Sequence, residues 1–194
     1  MLISNIMDND SEPNVEGMLI DDQTFISDST MQHDLELKGY GDLTEKKFFL
    51  KPFEALYLLY SNKLKLHKGS KLVDFDTLMQ ICIKFDEDIL TKFLIYRDLK
   101  TRGYTVKDGF GFGFDFRVYD RGHFGAKGAK YLVFGLNEGR QEKIGKLQQK
   151  VEEITQMGKE PIIAVVEKRG EVIYYKISKI NFLENKERVS MNFS

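Results

Sequence analysis

The 194-residue chain has one cysteine, no long apolar run and almost no net charge, and each absence removes a class of protein. Cys82 cannot form an intrachain disulfide. It sits in the apolar run Leu78-Met79-Gln80-Ile81-Cys82-Ile83, where a small buried hydrophobe is expected rather than a reactive thiol, which needs a polar, electropositive setting. No apolar stretch approaches the roughly 18 residues of a membrane span, and the acidic, interrupted N-terminus lacks the basic-then-apolar layout of a signal peptide, so a cytoplasmic protein is expected. A formal charge of −1 offers no global pull toward polyanions; any such binding must come from local patches. No internal repeat is visible. What remains is 42% hydrophobic and 30% charged residues, the balance of an ordinary globular chain long enough for one large or two small domains.

Apolar periodicity suggests two units. Residues 1–16 are polar and acidic and read as a disordered tail. In 17–72, Gly17–Ile20 and Thr24–Ile26 read as strands around a tight turn. A short helix capped by Ser27 or Ser29 runs through Leu37 to a stop at Gly39, Lys46–Leu50 is another strand, and Pro52 opens a short buried helix. This is a small α+β domain. In 73–183, Asp74–Ile83 and Asp86–Arg102 read as helices, the second burying Ile89, Leu90, Phe93, Leu94, Tyr96 and Leu99 and ending at Gly103. Three strands span Tyr104–Val133, a helix covers Gln141–Met157, and Pro161–Val166 pairs with Glu171–Ile180. The order α-β-β-β-α-β-β predicts a mixed sheet flanked by helices, with residues 184–194 as a loose tail.

The centre of the chain is Tyr104–Val133. Alternation puts Phe112, Phe114, Phe116 and Val118 on one face and Asp115, Arg117 and Tyr119 on the other, so a buried face and a chemical face are both legible. Polar groups gather at Tyr119, Asp120, Arg121 and His123. Cations cluster nearby in sequence: Lys100, Arg102, Lys107, Arg117, Arg121, Lys127 and Lys130.

Tyr96–Gly109 carries the pattern YxxLxxRGYxVKxG, Phe112–Gly122 carries FGxDFxVYxRG, and Tyr131-Leu132-Val133 completes YLV. These runs resemble the nuclease domain of archaeal tRNA-splicing endonucleases, and Phe49–Leu59 resembles that family's smaller domain; together the likeness covers about Gly17–Phe182. It implies an α+β protein whose C-terminal unit is a restriction-endonuclease-like α/β nuclease domain. It also implies metal-independent cleavage of precursor tRNA at bulge–helix–bulge intron boundaries, leaving a 2′,3′-cyclic phosphate and a 5′-hydroxyl. No metal or other cofactor is expected. The family works as an oligomer, of identical chains or of paralogous subunits, and a subunit lacking part of the catalytic set serves as a structural partner to a complete one. The β-branched last hairpin is the expected association edge.

Such chemistry needs a base for the 2′-hydroxyl, an acid for the 5′-oxygen and a cation at the crowded phosphate. The resemblance assigns these to a Tyr, a His and a Lys. Tyr119 and Lys159 occupy the first and third positions. The histidine position of HxxYLV holds Gly128, so the expected replacement is His123, in the glycine-flanked turn after Tyr119. Arg117, Arg121, Lys127 and Lys130 are the expected RNA contacts. Glu152 and Glu153 stand where catalytic relatives usually carry arginines, and would repel phosphate if they faced it. For a metal-dependent nuclease, Asp115 and Glu138 are the carboxylates to examine, although Leu136–Gly139 lacks the Glu-x-Lys such enzymes commonly use.

Overall fold

The computed structural model describes residues 15–109, 113–138 and 144–178. The two tails, Phe112 and the stretch 139–143, where a turn and the start of a helix are expected, all lie outside them. The first sheet is built from β1 (Val15–Ile20), β2 (Gln23–Ile26), β3 (Asp42–Thr44), β4 (Lys47–Leu50), β5 (Leu64–Lys68) and β6 (Lys71–Val73), in the order β3-β4-β2-β1-β5-β6. Only β1 and β5 pair in parallel. The last two strands carry little signal in the sequence: Leu64, Leu66 and Val73 are the only core contributors in a stretch otherwise rich in lysine, too few to reveal the period.

Helix α1 (Ser29–Leu37) is capped by Asp28, not by Ser27 or Ser29. The Asp28 carboxylate accepts from the Thr30 and Met31 N–H groups at 2.8 and 3.0 Å, satisfying two otherwise orphaned donors. Helix α2 (Pro52–Tyr60) starts on a proline whose missing N–H costs nothing there. It packs between the first sheet and α4 (Ile89–Thr101), itself preceded by α3 (Phe75–Cys82). Phe53 of α2 meets Tyr96 of α4 with ring centroids 5.0 Å apart, and Phe116 of the second sheet edge-on at 5.2 Å. One hydrophobic core therefore runs through both halves. Being enclosed on more than one side, α4 does not follow a single stripe: Ile95 is fully buried, whereas Leu90, expected inside, is 48% exposed. Cys82 is buried as expected, and burial, aided by Asp22 and Asp86, pushes its thiol up to about 11.

The second sheet contains β7 (Thr105–Asp108), β8 (Phe116–Tyr119), β9 (Tyr131–Asn137), β10 (Glu160–Val166) and β11 (Val172–Lys176), ordered β11-β10-β9-β8-β7. All pairs are antiparallel except β9–β10. With helices on both its faces this is the α+β architecture expected, a mixed sheet in the C-terminal half. Helix α4 covers one face, against Phe116, Val118 and Val133; α5 (Ile144–Gln156) covers the other, its Ile154 clustering with Leu132, Phe134 and Ile163.

Phe114 departs from the expected alternation. The Asp115 N–H donates to the Val133 carbonyl and the Asp115 carboxylate accepts from the Gly135 N–H at 2.7 Å, so the chain bends before β8 begins at Phe116. Phe114 thereby leaves the Phe116 face and meets Phe134 on the α5 side, edge to face at 6.4 Å.

Candidate active site

A cavity of about 360 Å³ opens on the α5 side of the second sheet, lined by Phe114, Arg117, Tyr119, Gly128, Ala129, Leu132, Met157 and Lys159. Three elements place its polar groups. Tyr119 ends β8 and points away from buried Val118; its ring is fixed by a perpendicular contact with Phe124 at 5.1 Å. Arg117, two residues earlier on the same face, donates its Nε–H to the Asp108 carbonyl at 2.9 Å, which ties the stem to neighbouring β7.

Lys159 is placed by the way α5 ends. Gly158, at φ +68°, donates its N–H to Thr155 O at 3.0 Å, and the Lys159 N–H donates to Ile154 O at 3.1 Å, the paired bonds of a Schellman stop. The chain then enters β10, where the Glu160 N–H donates to Lys130 O. The turn before β9 is held by Lys130 N–H donating to Val118 O at 2.9 Å, which brings Gly128 to the cavity wall. A Cβ at position 128 would stand 3.1 Å from the Lys159 Nζ. Among the described residues no carboxylate pairs with that ammonium.

The remaining candidates lie elsewhere. His123 is half-buried in the turn after β8, its N–H donating to Asp120 O and its carbonyl accepting from Ala126 and Lys127 N–H. It does not line the cavity; the same turn sends Phe124 to Tyr119 instead. Arg121 is exposed and lies over the Tyr104 ring at 5.5 Å. Lys130 pairs with Asp120 at 3.2 Å and stands 4.9 Å from the Tyr131 ring centre; Tyr131 and then Asp120 hold its pKa above the ordinary lysine range. Lys127 is exposed in the turn.

The sequence cluster of cations is not one patch. Lys107 is buried, bonded to the Gly41 carbonyl and paired with Asp42 at 3.0 Å. Lys100 lies 4.1 Å over the Tyr40 ring, its pKa lowered to about 8 by burial. Arg102 is held by the carboxylate of Asp98. The first two bind the halves of the molecule together. Glu152 and Glu153 also stay off the cavity wall; Gln148 and Gln149, one turn earlier, donate to them. Asp115 is tied to Gly135 and Glu138 to the Lys168 N–H, and among the described residues no three His, Cys, Asp or Glu side chains gather as metal ligands. The apolar walls carry no signal in the sequence. Helical spacing puts Met157 in the α5 core, yet it is 55% exposed and stands two residues before Lys159.

A phenol, a guanidinium and an ammonium around one opening suit a phosphodiester: two cations for its charge and a hydroxyl group able to exchange a proton. Comparisons with known proteins agree. The tRNA intron endonuclease catalytic C-terminal domain matches residues 89–174, and the tRNA intron endonuclease N-terminal domain matches residues 15–79. The tRNA-splicing endonuclease of Methanococcus maripaludis is 34% identical over 164 residues, 84% of this chain and 93% of that protein. Those of Pyrococcus furiosus and Thermococcus gammatolerans are each 34% identical, covering 75% and 83% of this chain and 84% and 95% of their own.

Proposed function

The chain belongs to the tRNA intron endonuclease family, and from that premise we propose that it is a subunit of a tRNA-splicing endonuclease. It cuts precursor tRNA at intron boundaries without a metal, leaving a 2′,3′-cyclic phosphate and a 5′-hydroxyl. The observation that carries this reading is the cavity shared by Tyr119, Arg117 and Lys159. Tyr119 is the base for the 2′-hydroxyl, and Arg117 and Lys159 line the same cavity beside it. The cations take up charge that builds on the non-bridging oxygens as the 2′-oxygen attacks. Arg121, Lys127 and Lys130 lie outside the cavity and serve the flanking RNA backbone.

Residues 17–72 form the N-terminal domain and 73–183 the nuclease domain in this reading. The subunit assembles with a second copy or a paralogue. Among the described residues the outer edge of β11 has no strand beside it, and Ile173 and Tyr175 are exposed there, which supports association at that edge. No helix among the described residues is long and apolar enough to cross a membrane, in keeping with work on tRNA in the cytoplasm.

Gly128 favours one second reading, a structural subunit that activates a relative carrying histidine at that position. Cleavage of a bulge–helix–bulge RNA in excess chelator separates the two. The enzyme reading expects cutting by the chain itself and a loss of about 100-fold or more in Tyr119→Phe. An inert chain that restores turnover only when mixed with a histidine-bearing relative selects the structural reading, and no cutting in either format rejects both.

A further inference from the structure

We propose that Lys159 is the general acid of this site, delivering the proton to the 5′-oxygen as it leaves, while Arg117 supplies the fixed positive charge at the phosphate. The inference rests on the cleavage reading above. Among the described residues, three side chains with N–H or O–H groups line the cavity, and their chemistry sorts them. Arg117 cannot give up a proton in water. Tyr119 has to accept one from the 2′-hydroxyl. That leaves the Lys159 ammonium as the cavity's proton donor, and His123 is not among the lining residues.

Position 128 supports the assignment. With no side chain on Gly128, the space within 3.1 Å of the Lys159 Nζ that a Cβ would claim stays open. Lys159 is therefore the group that reaches the place where a side chain from the β8–β9 turn would stand. Lys159 sits in the short connection from α5 to β10, held by the Schellman stop on one side and by the Glu160 N–H bond to Lys130 O on the other, so the ammonium is presented from a fixed backbone.

In the reaction the 2′-hydroxyl proton passes to the Tyr119 phenolate, the O2′–P bond forms, the P–O5′ bond breaks, and a Lys159 N–H proton moves to O5′. Products are a cyclic phosphate, a 5′-hydroxyl, a neutral phenol and a neutral amine; exchange with water resets both side chains.

A substrate with sulfur in place of the scissile 5′-oxygen tests the role, because a thiolate leaves without being protonated far more readily than an alkoxide. The protein is used as the full chain, with its partner if one is needed. Lys159→Ala is expected to slow the oxygen substrate about 100-fold or more and the sulfur substrate only a few-fold. Lys159→Arg, which keeps the charge but cannot donate, is expected to behave like Lys159→Ala on the oxygen substrate. Arg117→Ala should slow both substrates alike, and His123→Ala neither. Equal losses on both substrates in Lys159→Ala, recovery by Lys159→Arg, or a sulfur-rescued defect in His123→Ala each overturn the assignment. If the unaltered protein cuts neither substrate, the cleavage reading itself falls. Thermal melts confirm that each variant folds.

Discussion

Placing an imidazole at position 128 probes the site at the point where the family resemblance implies a histidine and this chain has Gly128. Gly128 is exposed and does not adopt a left-handed backbone, so Gly128→His needs no backbone change. The one close neighbour of the new Cβ is the tip of the Lys159 side chain at 3.1 Å, which must yield by a few tenths of an ångström and is free to do so. Removing a glycine also narrows the unfolded ensemble, worth about 0.4–1 kcal/mol, so the variant should be at least as stable as the parent.

Electrostatics set the pH window. An imidazolium about 4 Å from an ammonium is repelled by ~1 kcal/mol in bulk water and ~4 kcal/mol at an effective dielectric of ~20. At ~1.4 kcal/mol per unit, that holds the new histidine some 1–3 units below an ordinary value near ~6.5. A better acid than an ammonium is thus present only on the acidic side. Single-turnover cleavage of the oxygen substrate is expected to rise by roughly 10- to 100-fold below about pH 5.5 and the gain to fade above it. In a Lys159→Ala background the repulsion is absent and the benefit should extend toward pH ~6.5. No gain at any pH, in a variant that melts and binds RNA like the parent, would refute the placement of position 128 beside the leaving oxygen.

Two further expectations concern groups outside the cavity. Glu54 is fully enclosed between the halves, its Oε2 accepting from the Gly41 and Lys51 N–H groups at 3.0 and 2.9 Å, and burial raises its pKa from 4.5 to about 7 despite nearby Lys107. The folded chain therefore holds this proton more tightly than the unfolded one: the contribution is full below pH 4.5 and is lost as pH rises to about 7. Urea melts should show stability falling by about 3 kcal/mol across that window, and Glu54→Gln should flatten the fall; an unchanged slope would assign the titration elsewhere. For RNA affinity, Lys127→Ala should lower binding and reduce the salt-dependence slope by about one phosphate contact, whereas Lys130→Ala, already paired with Asp120, should change the slope less. Filter binding across a salt series reads both.

Local chemistry makes much of this protein legible in its sequence. Helix α2 follows from Pro52, the end of α4 from Gly103, and the final hairpin from β-branched runs around Lys168-Arg169-Gly170; the mixed-sheet α+β class follows from the order of these pieces. Tyr119, Arg117 and Lys159 can be picked out because they sit in motif strings or at element ends. Other features depend on competition that no local pattern records. Asp28 outcompetes two serines for the α1 cap because a carboxylate takes two N–H groups at once. Phe114 changes face because Asp115 finds Gly135 across the sheet. Lys100 and Lys107, adjacent in sequence to the expected RNA contacts, turn inward to Tyr40 and Asp42.

The site itself shows the division most clearly. The resemblance of the chain's motif strings to the endonuclease family is what singles out Tyr119, Lys159 and the glycine at 128 as positions to examine, since such strings are one-dimensional facts. It does not say that Gly128 and Lys159 line one cavity, or that His123 stays off the wall that Arg117 shares. Those relations come from the parallel pairing of β9 with β10, with Tyr131 opposite Glu160, and from the α5 stop that delivers Lys159 beside it. Parallel strands must be joined by a long crossover, so their register is decided by packing two sheet faces against α4 and α5, and only the folded core holds that information.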